Sequence, residues 1–397
     1  MLLLPEYPNL ENIFNNSPKG VIVFGGSRAG LYTLKVLKKL NVNCLCIIDN
    51  DASKHSADYY GVEVISPTAG RAKYGDVTVL VSTMSFQDLT AIKTSLNKVG
   101  FSRCHYLVPD IFDFYIKNLT KRNFNFKTYR ENKNIFYNRS AMDRDQSLSP
   151  SMTVMINEKC NLNCSDCAAL VPLNQNPETF SVETIINSLK SYCGAFDFVY
   201  RICIMGGEPF LHKDIHAILE CLRDLDNVLF IDIATNGTVV PQKKTMDLID
   251  QLGATIEISD YGDVSRKMPE LIAECQQRNI VHFIQKYETW MSIGGIFSRE
   301  RDEINKMETF HKCTKSIGIT NHIVGQKLSR CIFSAMAGKL KLIPQPKTDY
   351  VDLIHSDDHT FLKIKELTFR NTYLEACNFC LANDRQPVKA GLQIVKI

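Results

Sequence analysis

Two rhythms of apolar positions run along this chain. Between residues 18 and 110, short continuous apolar runs alternate with a helical pattern. "GVIVFGG" predicts a buried strand, and "SRAGLYTLKVLKKL" places Leu31, Leu34, Leu37 and Leu40 along one side of a helix. "NCLCIIDND", "VTVLVSTM" and "CHYLVPD" predict further strands. Strand, glycine turn, helix and strand together predict a right-handed βαβ unit with a parallel sheet. The turn "GGSRAG" matches G-x-G-x-x-G only in part. Ser27 stands where the middle glycine would let a pyrophosphate approach the backbone, while Asp49 follows at the distance of a ribose contact. Nucleotide binding and a purely structural Rossmann-like module both remain open on this pattern.

From residue 152 the rhythm becomes strand, loop, helix, repeated. "TVMIN", "YRICIM", "VLFIDIATNGT", "TIEISDYG" and "IVHFIQK" predict strands. One helix is "SVETIINSLKSY", capped by Ser181 and apolar at Ile185, Ile186 and Leu189. Another carries Ile215, Ile218, Leu219, Leu222 and Leu225. The repeat predicts a parallel barrel or partial barrel, whose chemistry gathers at the carboxyl ends of its strands. "EKCNLNCSDCAAL", "GGEP", "TNG" and "SDYG" all fall at those ends. The last hundred residues lack the repeat. "HKCTKSIGITNHIVGQKLSRC" predicts a hairpin flanked by Cys313 and Cys331, and "YLEACNFC" adds Cys377 and Cys380. The expected fold is α/β: a partial (β/α)6 TIM-type barrel, an N-terminal Rossmann-like α/β domain and a small cysteine-rich α+β extension. The expected boundaries are 1–111 for the Rossmann-like domain, 112–150 for a polar and aromatic linker, 151–298 for the barrel and 299–397 for the extension.

Composition narrows the function. The 397 residues suffice for two or three domains, and 45% hydrophobic with 22% charged is ordinary for a globular protein. A net charge of +3 gives no electrostatic case for nucleic acid or an anionic membrane. "MLLLPEYPNLENIF" has three leucines before Pro5, too few for a secretory h-region, and no apolar run is long enough to span a bilayer. A cytoplasmic protein is expected. In a reducing compartment its 14 cysteines are not disulfides. Cys44, Cys46, Cys104, Cys193, Cys203, Cys221 and Cys275 lie in apolar segments and read as small core residues. Cys160, Cys164, Cys167, Cys313, Cys331, Cys377 and Cys380 lie in polar loops and read as metal ligands.

The run Cys160-x3-Cys164-x2-Cys167 stops at three ligands. Either a distant residue completes a zinc site, or one position stays open. Three thiolates can hold three irons of a [4Fe–4S] cluster, leaving the fourth iron for a small molecule. Cys313, Cys331, Cys377 and Cys380 make a second, complete set, which fits a zinc-ribbon-like site or a fully ligated cluster.

The three-cysteine loop after the first barrel strand, with Gly206-Gly207-Glu208-Pro209 after the second, resembles the radical S-adenosylmethionine (SAM) superfamily. The resemblance implies a [4Fe–4S] cluster on Cys160, Cys164 and Cys167 whose open iron chelates the methionine moiety of SAM. It implies that the backbone and acid of the Gly-Gly-Glu-Pro segment receive the SAM ammonium, and that electron transfer to SAM yields a 5′-deoxyadenosyl radical. Thr235, Asn236, Ser259 and Asp260 stand where the family draws its ribose contacts, and Arg266 is available to pair with the SAM carboxylate. Asp166 departs from the family, which usually has an aromatic residue near the adenine at that position. "GQKLSRCIFSA" resembles the segment leading into a ligand cysteine of SPASM and twitch extensions. That implies one auxiliary [4Fe–4S] cluster on the four C-terminal cysteines.

"ISDYG", "RCIFSA", "LKLIPQPKTDYVDL" and "YLEACNFC" resemble a radical SAM subfamily associated with bacterial surface-polysaccharide gene sets. "GVEVISP" after "IIDND" resembles Rossmann-like modules of sugar-modifying enzymes. The function these imply is hydrogen abstraction from a carbohydrate-type, nucleotide-linked or other small-molecule substrate, ending in epimerisation, dehydrogenation or dehydration. An electron donor such as flavodoxin or ferredoxin is the implied partner. No catalytic residue is singled out, although Cys203 and Cys275 are thiols that an epimerase would need as hydrogen donors. A peptide maturase and a non-catalytic redox sensor are the alternatives.

Overall fold

The computed structural model describes residues 2–55, 58–59, 61–83, 88–136, 147–313 and 320–394. Its first sheet comprises β1 (Val21–Phe24), β2 (Cys44–Ile48), β3 (Asp58–Tyr59), β4 (Val62–Ile65), β5 (Val79–Val81) and β6 (Cys104–His105), in the order β3-β4-β2-β1-β5-β6. β1 pairs in parallel with β2 and β5, as the βαβ reading requires. All four residues of β1 are buried, and helix Arg28–Lys39 returns over it with Leu31, Leu34 and Leu37 in the core. Gly30 permits this packing, because a Cβ there would sit 1.9 Å from the Gly25 carbonyl oxygen. The Asp49 carboxylate is turned onto the glycine loop itself, accepting from the Gly26 amide at 2.7 Å and from Lys54 Nζ at 3.1 Å.

The expected linker begins differently. Residues 112–119 belong to helix Val108–Leu119, which buries Ile111, Phe112, Tyr115 and Ile116 against helix Arg28–Lys39. These apolar residues recur at helical spacing, so their burial outweighs the polar residues between them. Helix Phe126–Phe136 follows, and the rest of the expected linker up to residue 146 lies outside the described residues.

The second sheet is built from β7 (Leu148–Ser149), β8 (Ser151–Met155), β9 (Phe198–Met205), β10 (Val228–Thr235), β11 (Thr255–Asp260) and β12 (His282–Lys286). After a short strand β13 (Thr289–Met291), it continues with β14 (Thr320–Val324), β15 (Lys327–Ser329) and β16 (Tyr350–Asp352). The order is β12-β11-β10-β9-β8-β14-β15-β16, with β7 also on β9. Neighbours from β12 through β8 to β14 are parallel, giving the six parallel strands of a partial TIM-type barrel. The sixth comes from the cysteine-rich region and sits beside the first. The hairpin between Cys313 and Cys331 therefore extends the barrel sheet, because Ile323 and Leu328 share its core. Helices Val182–Gly194, Ile215–Arg223, Lys243–Leu252 and Met268–Gln277 cover one face of the sheet.

The other face meets the N-terminal unit through charge. Arg28, in the first turn of its helix, reaches Asp232 on β10 at 2.5 Å and Glu257 on β11 at 2.8 Å. Arg201 on β9 pairs with the same two acids. Asp232 is wholly shielded from solvent, so both guanidinium groups offset its desolvation. Arg28→Ala leaves this carboxylate with one cation and is expected to cost about 2–4 kcal/mol, read as a lower urea midpoint at unchanged m.

Candidate active site at the carboxyl rim of the barrel

The cysteine loop leaves β8, and the Gly-Gly-Glu-Pro turn leaves β9 beside it. Backbone bonds zip the two together: Gly207 N donates to Asn157 O at 2.9 Å, and Glu208 N to Lys159 O at 2.8 Å. Asn157 Nδ2 donates to Glu208 O at 3.0 Å. The two glycines are required by contact. A Cβ on Gly206 would lie 2.7 Å from Asn157 O, and one on Gly207 would lie 2.4 Å from Lys159 O and 2.8 Å from Cys160 Cβ.

The Glu208 side chain turns inward. Its Oε1 accepts from Phe210 N at 3.1 Å and Thr235 Oγ1 at 2.8 Å, and its Oε2 accepts from Asn236 N at 2.8 Å. Three of roughly four lone-pair positions on the carboxylate are filled. Burial pushes its pKa up to about 7, with the bonds from Asn236, Thr235 and Phe210 opposing the shift. A cation at the remaining position on Oε2 would restore the charged form, as the ammonium of an amino acid does.

The three sulfur atoms of the loop all receive N–H donors. Cys160 Sγ accepts from Leu162 N at 3.4 Å and Asn236 Nδ2 at 3.6 Å. Cys164 Sγ accepts from Gln393 Nε2 at 3.0 Å. The amides of Val171, Ala169 and Leu170 face Cys167. Burial nevertheless raises all three thiols, Cys160 to about 12. Partly to fully buried sulfurs with donors aimed at them fit thiolate ligation of an iron–sulfur cluster.

Of the expected SAM contacts, Thr235 and Asn236 join this network. The Asp260 carboxylate instead caps its own turn, accepting from Gly262 N at 2.8 Å. The Ser259 carbonyl accepts from Ser265 Oγ at 3.0 Å, and Arg266 is exposed. Asp166 is held between Ser292 Oγ at 2.7 Å and Ser165 Oγ at 2.9 Å. It thus ties the cysteine loop to the segment after β13.

Aromatic surface comes from residues the motifs did not single out. Tyr261 stacks on Tyr287 with centroids 5.8 Å apart and meets Trp290 edge-on at 5.2 Å. Its phenol is raised first by burial, with Cys164 and Cys167 among the smaller causes, which places it beside the loop. Gln393 was also missed, because no local pattern links the chain's end to a loop more than two hundred residues earlier.

Cys313, Cys331, Cys377 and Cys380 line one cavity of about 60 Å³ with Arg330 and Arg385. Cys331 stands at the amino end of helix Ile332–Lys339, where Phe333 and Ser334 amides face its sulfur. Arg385 Nη2 donates to Cys380 Sγ at 2.8 Å, and Arg301 Nη1 donates to the Cys377 and Cys380 carbonyls, each at 2.7 Å. Among the described residues, no group of His, Cys, Asp or Glu side chains converges tightly on a single point as one metal ion requires. Cys203 lies buried on β9 among Arg201, Glu257 and Asp232, and Cys275 is buried in the helical layer.

The parallel partial barrel thus gathers three N–H-bonded thiols and a buried acid without a cation on its carboxyl rim. Residues 154–259, which form most of the barrel, match the family model described as the Radical SAM superfamily. A GTP 3′,8-cyclase of Alkaliphilus oremlandii is 29% identical over 138 residues, 31% of this chain and 42% of that one. A probable GTP 3′,8-cyclase of Methanococcus maripaludis is 30% identical over 114 residues, 28% of this chain and 37% of that one. The chain thus spans less than half the length of these relatives. Among solved structures, native anSMEcpe with bound AdoMet has a TM-score of 0.41 at 11% identity, covering 57% of this chain and 83% of its own. SuiB of Streptococcus suis bound to S-adenosylmethionine has a TM-score of 0.31 at 11% identity, covering 62% and 71%. No helix among the described residues is long and apolar enough to cross a membrane.

Two outcomes follow. Gly207→Ala forces backbone apart at the cysteine loop and is expected to lower bound iron at least tenfold with the far-UV spectrum unchanged. Glu208 has its folded pKa raised above the unfolded value of 4.5. Its stabilising contribution is therefore full below about pH 4.5 and lost as pH rises through about 7. Metal-free wild type should lose about 3 kcal/mol across that window relative to Glu208→Gln, measured by denaturant melts at each pH.

Proposed function

We propose that the chain is a radical SAM enzyme that binds its cluster through Cys160, Cys164 and Cys167 and removes hydrogen from a carbohydrate-type, nucleotide-linked substrate. The observation that carries the cofactor reading is the buried, cation-free Glu208 beside three N–H-bonded sulfurs. When bound, the reduced cluster supplies the electron that cleaves SAM to a 5′-deoxyadenosyl radical. The chain's own residues do the positioning. Carbonyls of Gly206 and Gly207 and the open lone pair of Glu208 Oε2 receive the SAM ammonium. Thr235 and Asn236 hold Glu208 and Cys160 in register, and Tyr261 with Trp290 supplies the apolar face for the adenine that Asp166 does not.

Cys313, Cys331, Cys377 and Cys380 hold an auxiliary [4Fe–4S] cluster in this reading. Flavodoxin or ferredoxin serves as reductant. The relatives are named for a reaction on GTP, itself a sugar-bearing nucleotide, which supports a nucleotide substrate but does not choose between GTP and a nucleotide sugar.

Anaerobic reconstitution, reduction and addition of SAM should yield 5′-deoxyadenosine and about eight irons per chain, the sum of two four-iron clusters. Cys164→Ala should abolish cleavage, whereas Cys377→Ala should retain about four irons. Deuterium passing into 5′-deoxyadenosine from labelled nucleotide sugars, but not from labelled GTP, distinguishes the two substrate readings. Cleavage by the Cys164 variant would overturn the site.

A further inference from the structure

The end of the described chain returns to the cysteine loop. Strand β17 (Pro387–Lys389) pairs antiparallel with β13, opposing Val388 to Trp290. Gln386 O accepts from Ser292 N at 2.8 Å, so the strap starts beside the serine that holds Asp166. Gly391, at φ +66°, presses onto Tyr261, where a Cβ would come within 2.9 Å of Tyr261 Cβ. Beyond it the strap pairs with the cysteine loop itself. Ser165 N donates to Leu392 O at 2.9 Å, and Ile394 N donates to Asn163 O at 2.9 Å. Asn163 Nδ2 adds a bond to Ile394 O at 2.8 Å.

Gln393 sits at the centre of this pairing with its carbonyl oxygen and both N–H groups engaged. Its Oε1 accepts from Asn163 N at 2.7 Å, and its Nε2 donates to Gly391 O at 2.7 Å and to Cys164 Sγ at 3.0 Å. The amide cannot be reversed. Asn163 N can only donate and Gly391 O can only accept, so the remaining N–H must point at the sulfur.

We infer that Gln393 is a positioning residue whose N–H bond to the Cys164 thiolate raises the reduction potential of the cluster proposed above, and that residues 386–394 form a strap retaining that cluster. A donor to a ligating sulfur stabilises the more negative, reduced state, which raises the potential. The strap leaves the second cysteine site at Arg385, whose guanidinium donates to Cys380 Sγ, and ends on Cys164. It therefore ties the two sites together through one stretch of chain.

The inference rests on the cluster reading of Cys160, Cys164 and Cys167, and the test separates the two. Full-length wild type, Gln393→Met and Gln393→Glu are reconstituted anaerobically. The electron paramagnetic resonance signal that responds to SAM is then titrated against potential. Met removes the donor at similar length. Glu keeps an acceptor facing Asn163 N but loses both N–H groups and adds a negative charge, so Met is the measure of the lost donor and Glu should shift the midpoint in the same direction. Both variants should shift the midpoint downward by about a tenfold change in the reduction equilibrium, about 59 mV for one electron. Both should also lose iron to a chelator about tenfold faster than wild type, so a variant that holds its cluster poorly still gives a reading. Equal midpoints and equal release rates overturn the inference. A wild type with no SAM-responsive signal overturns the cluster reading instead.

Discussion

Glu208 accepts hydrogen bonds from the Phe210 and Asn236 amides and the Thr235 hydroxyl while fully shielded from water. These bonds cross from the end of β9 to the end of β10, so they fix the relative height of two strand termini on the rim. The same turn is joined to the cysteine loop through Gly207 N and Glu208 N, which brings a third strand end into register. Each tie needs the next. The carboxylate can be buried only because donors surround it, and those donors are aligned only because the glycines let the loop approach within backbone contact. A carboxylate left in this state favours protonation, and a cation resolves the frustration more fully than another neutral donor would.

A second acid performs the corresponding task between the two cysteine sites. Glu158, two residues before Cys160, is almost fully buried and pairs with Lys339 while accepting from Asn174 Nδ2 and Glu178 N. Lys339 closes the helix that begins after Cys331. One eight-residue helix, roughly 12 Å long, thus spans from one thiol set to the loop of the other. β14 reinforces the link by pairing with β8, the strand that feeds the cysteine loop. The cysteine-rich region is consequently built into the barrel, and its four thiols are held in fixed relation to the rim.

Much of this was legible in the sequence because it was written in local periods. The alternation of apolar runs and helical stripes located β1, β2, β8 to β12 and the helix capped by Ser181, whose hydroxyl accepts from Thr184 N. The three-cysteine loop and Gly-Gly-Glu-Pro were visible because their spacing is short. What escaped depends on long-range pairing. The contact between Gln393 and Cys164, the seat of Asp166 on Ser292, and β14 beside β8 join positions more than a hundred residues apart. Local pattern carries no information on such partners. Asp260 illustrates the opposite case: Asp-Tyr-Gly is good local turn chemistry, and the turn, rather than the expected ribose contact, claims its carboxylate.

The glycine loop of the N-terminal unit shows how a familiar pattern is redirected by its neighbours. A phosphate on such a loop needs free amides at the head of the helix and a free acid for the ribose. Here Gly26 N is given to Asp49, and Asp49 also holds Lys54. Arg28, in the same first turn, points away from the loop to Asp232 and Glu257 on the barrel. Its guanidinium also lies over the rings of Phe230 and Phe283, at 5.6 and 5.3 Å from their centroids. Charge and aromatic surface together therefore set this unit on the inner face of the sheet. A cation that could pair with a phosphate in an isolated Rossmann unit instead helps line the layer beneath the rim. The unit's strongest polar commitment is to the barrel.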